Sequence, residues 1–214
     1  MEKQNLLFSE SDMRSRKSAN ESQMYDAVKE LAIDIVNASE DAISDLGDWR
    51  RQHPIASRQR NFMATNLNSL FIENMIKTNR FRVINRAYPF NNTLFEIGES
   101  LISVKKLDDK FRPQYNHSIS SKNNLNQKTT EENDLPFIFL GYQTNDQGSK
   151  ITGIYVIYLC GNKLLWKIDV LNIAESLRAS RKLVNESILH NDVTIEEEAD
   201  ISIKTGKKKV ANSK

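Results

Sequence analysis

Long apolar runs are missing from this sequence. No window approaches eighteen consecutive apolar residues, so no helical membrane span is expected. The opening MEKQNLLFSESDMRSRK has no long apolar core and no small-residue cleavage site, which points to an unexported protein with no membrane partner. Cysteine is almost missing as well. Cys160, the single one, cannot form an internal disulfide, and the expected compartment is a reducing cytoplasm. Inside the strand-like run YVIYLCG its thiol reads as a small buried hydrophobe. An excess of one charge is missing too. Thirty basic side chains against 28 acidic ones leave a net charge of +2, too small for a global field toward nucleic acid, so contact with phosphates would have to be local.

Signatures of catalysis are equally sparse. There is no phosphate-cradling glycine loop, nucleophile elbow or kinase signature. His53, His117 and His190 fall in presumed loops without cysteine partners or an HxxxH spacing, so neither a zinc site nor another cofactor is expected.

The pattern that is present belongs to an α+β fold. Residues 1–18 mix charge and serine without periodicity and read as a mobile arm. From Met24, apolar residues recur at alternating spacings of four and three through Val28, Leu31, Ile35, Ala38 and Ala42, the stripe of a long helix with Gly47 as its stop. That stripe fits the protein's own sheet best, and a homo-oligomer seam is its other use. DWRRQHP then reads as a turn, with Trp49 over the end of the helix. A second helix is predicted from Ser57, as N-cap, to about Thr78, with Phe62, Leu67, Phe71 and Met75 on its apolar face.

Strands begin near Arg80 with FRVINRAY. LFEIG and SLISVKKL pair as a hairpin around Gly98, and FIFLGYQ, ITGIYVIYLC and KLLWKIDVL form a meander joined at Asn145–Gly148 and Gly161–Asn162. The architecture is therefore two long N-terminal helices packed on an antiparallel sheet of about five or six strands. A single domain is expected over 19–173, interrupted by a long polar loop at 114–134. After it comes a weakly helical, then disordered, charged tail over 174–214.

Five basic residues stand out as candidate contacts. Arg58 and Arg60 lie in the first turn of the second helix, where positive charge opposes the macrodipole and an anion would relieve it. Lys105, Lys106 and Arg112 follow the apolar strand pattern directly, in VKKLDDKFRPQ. One catalytic pattern competes with this reading. In PD-(D/E)xK nucleases two acidic groups hold a divalent metal beside a lysine, and here Glu96 and Glu99 precede Lys105. Ser103 occupies the position where that motif needs a carboxylate.

The run Lys105-Lys106-Leu107-Asp108, with Arg112, Leu135-Pro136, Gly141-Tyr142 and Trp166, resembles an uncharacterised family of bacterial proteins. Its members share an RFKKLD-like strand followed by an LP…GY segment, and the similarity covers about 58–169. The resemblance implies an accessory protein of mobile-element, defence or toxin–antitoxin loci. Two functions are thus expected from the sequence. One is a non-enzymatic binding or regulatory protein, antitoxin-like or part of a phage-defence assembly, whose basic patch engages an acidic protein surface or nucleic-acid phosphate. The other is a degenerate metal-dependent nuclease.

Overall fold

Asn20 opens the first long helix. Its side-chain oxygen accepts the amide of Gln23 at 3.2 Å, an N-cap that satisfies one of the orphan donors of the first turn. In the computed structural model, which describes residues 13–54, 60–85, 93–114, 118–129 and 134–183, this helix, α1, runs Glu21–Gln52. It does not stop at Gly47. The following DWRRQ is good helix sequence, held by an Asp48–Arg51 ion pair one turn apart. The amide of His53 closes the last turn on the Trp49 carbonyl at 3.0 Å, just before Pro54. The Trp49 ring stacks on His53 at 4.6 Å and meets Phe62 at 5.3 Å, so it covers the end of one helix and the start of the next.

The second helix, α2 (Arg60–Lys77), lies along α1. Buried Asn74 links them, donating to Asp45 at 2.9 Å and accepting from Lys77 at 2.8 Å. Met24, Val28, Ile35, Ala38 and Ala42 of the expected stripe are essentially inaccessible, whereas Leu31 is only half-buried and its neighbour Ala32 is buried instead. Most of the stripe is thus packed within the fold.

Six strands form the main sheet: β2 (Arg82–Asn85), β3 (Thr93–Glu96), β4 (Leu101–Lys106), β6 (Phe137–Thr144), β7 (Ile151–Cys160) and β8 (Lys163–Asp169), in that spatial order. The hairpin β3–β4 and the meander β6–β7–β8 are antiparallel as the sequence indicates. The β4–β6 pair is parallel, which the sequence reading did not foresee. Strands joined by more than a tight turn are free to run either way, and residues 107–136 separate these two.

On one face, Phe71 of α2 meets Tyr142 of β6 edge-on at 5.8 Å. On the other, Leu94, Leu101, Phe137, Phe139, Ile157 and Leu159 form a second core with Leu107 and Leu125. Its cover comes from the stretch read as a polar loop, which holds the helix α3 (Ile119–Leu125) and the short strand β5 (Lys128–Thr129). Ser118 caps α3, accepting the Ser121 amide at 3.2 Å. Strand β5 pairs with β1 (Arg14–Ser15), so the expected arm joins the fold from residue 13 onward. Next to it, buried Arg16 donates to the Leu135 carbonyl at 3.0 Å and to Asn124 at 3.2 Å. Residues 1–12, and the tail beyond 183, lie outside the described residues.

After β8 the chain becomes helical again over 170–183, as α4, with Val170, Ile173 and Ala174 buried. Contacts divide the chain into two units, Met1–Ala174 and Glu175–Lys214. Among the described residues no helix is long and apolar enough to cross a membrane. Cys160 is exposed. It is the last residue of β7 before the Gly161–Asn162 turn, beyond the side chains that cover the strand's centre.

Candidate functional site

Where β4 ends, the charged run turns back on itself as a pinned strap over 107–114. Leu107 bridges Pro113, the Asp108 amide donates to the Arg112 carbonyl at 3.0 Å, and the Gln114 amide donates to the Lys106 carbonyl at 2.8 Å. One carboxylate oxygen of Asp108 accepts the amides of Lys110 at 2.9 Å and Arg112 at 2.8 Å. An aspartate that bonds the backbone two and four residues on is a strong local turn former. Phe111 at the tip has φ of 59°, a left-handed conformation that costs about 1–2 kcal/mol in a residue with a Cβ. Its ring packs edge-on against Tyr155 at 5.0 Å, and the Lys167 ammonium lies 3.9 Å from its centroid. Gln143 fastens the base, donating to the Asp108 carbonyl at 2.8 Å.

Alternation along β4 sends the two adjacent lysines to opposite faces. Lys106 pairs in register with Tyr142, on the helix side, and lines a cleft of about 670 Å³ with Arg50, Met63 and Leu67. Asp108, Asp109 and Asp146 line the same cleft. Lys105 pairs with Gly141 on the side of the second core, and it is half-buried. Arg112, exposed, lines a second pocket of about 450 Å³ with Asn162, and Gln114 lines both. The basic residues expected to form one patch are therefore divided by the strap. Arg58, and the side chain of Arg60, lie outside the described residues.

The acidic residues are not brought to Lys105. Glu96 pairs in register with Leu101, four residues before Lys105, a separation of about 13 Å along a strand. It is ion-paired with Arg82 at 3.1 Å. Glu99 sits in the turn preceding β4, at φ of 31°, a further step away. Among the described residues no cluster of three or more His, Cys, Asp or Glu side chains is placed to hold a metal ion.

The chain matches no protein-family model, no curated protein and no solved structure.

Its site is consequently read from its own chemistry. Burial pushes the Lys105 ammonium below its ordinary value, and no carboxylate among the described residues pairs with it. Lys105→Met, which keeps the apolar stem and removes the charge, is expected to stabilise the fold by about 1 kcal/mol at neutral pH. The sign of the pH dependence follows from the lowered value. Between the native and unfolded values the unfolded chain binds more protons, so wild-type stability rises with pH in that window. The advantage of the variant should shrink as pH approaches 10.5, the ordinary lysine value, in urea titrations run at neutral and alkaline pH. A variant advantage that is flat with pH would contradict the assignment.

The sequence reading weighed Arg50 only as part of a patch with Trp49, Arg51 and His53, and did not place it in one cleft with Lys106 or set Gln114 and Asn162 in one pocket with Arg112. Arg50 came from the unexpected continuation of α1, and Asn162 was read only as a turn residue. The strap itself had a local signal, since Asp108 stands two and four residues before Lys110 and Arg112.

Proposed function

We propose that the protein is a non-enzymatic binding protein that engages an acidic protein surface through the strap and the two cations beside it, Lys106 and Arg112. The observation that carries this reading is the strap's rigidity. Four backbone and two carboxylate hydrogen bonds hold Lys106 and Arg112 at its two sides, and neither cation makes an ion pair with a described residue. Preorganised charged groups give a partner specificity and register without an ordering cost. A protein partner is favoured over nucleic acid because three aspartates share the cleft with Lys106 and Arg50: a uniformly anionic phosphate backbone would meet them unfavourably, whereas a protein surface can set hydrogen-bond donors opposite them between its own carboxylates. The resemblance of the KKLD, LP and GY segments adds the proposed setting, an antitoxin-like or phage-defence component.

The test is affinity capture from the protein's own host, with and without nuclease, using wild type, Lys106→Glu/Arg112→Glu and, as a control on α1, Lys29→Glu. A nuclease-resistant stoichiometric protein retained by wild type and control, and reduced at least roughly ten-fold by the double reversal, is expected, since losing charge-assisted contacts costs about 1.5–3 kcal/mol each. Undiminished capture by a folded double variant overturns the reading. Recovery of nucleic acid alone also overturns it.

A further inference from the structure

The pocket on the Arg112 side differs from the cleft: among the described residues no carboxylate lines it. Its cationic residue is Arg112, exposed, and the carboxamide-bearing residues Gln114 and Asn162 line the pocket with it. Its floor is apolar, built from Pro113, Leu125 and Leu159, all of them buried. At about 450 Å³ it falls within the roughly 300–1,000 Å³ of small-ligand sites. The walls are fixed by the backbone. The Arg112 amide is held by Asp108 at 2.8 Å, and the Gly161 amide donates to the Leu125 carbonyl at 2.9 Å, tying the β7–β8 turn to the end of α3. Gly161 has φ of 59°, and a Cβ there would stand 3.2 Å from the Asn126 side-chain oxygen, so the turn is built for glycine.

We propose that this pocket captures the C-terminal carboxylate of a peptide whose last residue is apolar. The inference rests on the binding-protein reading and names the chemistry of the partner. A guanidinium presents a planar fork that takes both oxygens of a carboxylate, and two carboxamides supply further donors. A cation next to an apolar floor needs a ligand with the carboxylate and an apolar group close together. A chain terminus carries both on one carbon. An internal aspartate or glutamate offers the carboxylate but brings polar backbone to the leucines, and a phosphate leaves the floor unfilled.

The experiment is a proton–nitrogen correlation titration of the full chain with N-acetyl-leucine, N-acetyl-leucinamide and acetate, in wild type and in Arg112→Gln. N-acetyl-leucine is expected to shift the amide signals of Gln114, Gly161 and Asn162 saturably, with a Kd of about 1 mM. Removing the carboxylate in the leucinamide, or the guanidinium in Arg112→Gln, should weaken this at least roughly ten-fold. Asn162→Asp, which sets a repelling charge in the wall, should do the same while leaving the spectrum folded. Equal shifts from the leucinamide overturn the proposal, as do shifts from acetate as strong as those from N-acetyl-leucine. Absence of saturable shifts at ~20 mM, far above the expected constant, also overturns it. If N-acetyl-leucine fails while host capture still depends on Lys106 and Arg112, only this inference falls. If it binds and capture ignores both residues, the binding-surface reading falls instead.

Discussion

Replacing Gln127 with alanine is expected to lower the unfolding free energy by about 3 kcal/mol. Its carboxamide is buried between the second core and the cap formed by α3, β5 and β1. The nitrogen donates to the carbonyls of Phe137 at 2.7 Å and Leu159 at 2.8 Å, and the oxygen accepts the Phe137 amide at 2.9 Å. One side chain thus satisfies three backbone groups, at the start of β6 and the end of β7. Each group left unpaired in the interior costs about 1–3 kcal/mol, less where water can follow. Gln127 also has φ of 55°. Gln127→Gly relieves that strain and loses the same clamp, so it should be less damaging than the alanine variant by about 1 kcal/mol. Urea unfolding of both, beside exposed Lys128→Ala as a near-neutral reference, checks the ranking. An alanine variant within about 0.5 kcal/mol of wild type would mean that the clamp contributes nothing.

A comparable loss, about 2–3 kcal/mol, is expected from Gly141→Ala. Position 141 lies in the middle of β6, between Lys105 and Tyr155 in register, directly beneath Leu107. A Cβ there would stand under 3.0 Å from Cγ and both Cδ atoms of Leu107. Leu107 is buried and anchors the strap's first residue, so a single methyl forces either β6 or the strap to move. The signature of strap movement is separable from the loss of stability. Limited proteolysis after exposed Lys110 should accelerate in Gly141→Ala under native conditions. Leu107→Ala removes the obstructing atoms, so the double variant should lose less than the sum of the two single losses. Strict additivity would show that the clash is not the cause.

These two positions mark the limit of what could be read from the residues. Both long helices were legible because their apolar stripes repeat over many turns, and the β6–β7–β8 meander because glycine and asparagine turns separate runs of β-branched and aromatic residues. The cap was not legible. Among the described residues between Gln114 and Asp134, Leu125 alone joins the apolar core cluster, and order there comes from polar bonds through Ser118, Arg16 and Gln127, which composition does not reveal. The parallel register of β4 against β6 was hidden for a related reason, since a strand's own pattern does not state its direction. Among candidate site residues, the alternation that puts Lys105 and Lys106 on opposite faces was readable from β4 itself. Their division by the strap was not, because it depends on Leu107 finding the gap over Gly141.

The single parallel junction has a consequence for the order in which the molecule assembles. On one side of it, β2, β3 and β4 are joined through neighbours in sequence, and on the other, β6, β7 and β8 close through short turns. Each half can zip locally, whereas β4 can find β6 only after the chain over 107–136 has closed a long loop. The strap, and the α3 and β5 parts of the cap, belong to that loop. The bonds that fasten them to β6 and β7, from Gln143 to Asp108 and from Gln127 to Phe137 and Leu159, therefore form with the final seam of the sheet, and a nascent chain exposes the facing edges of two half-sheets until then.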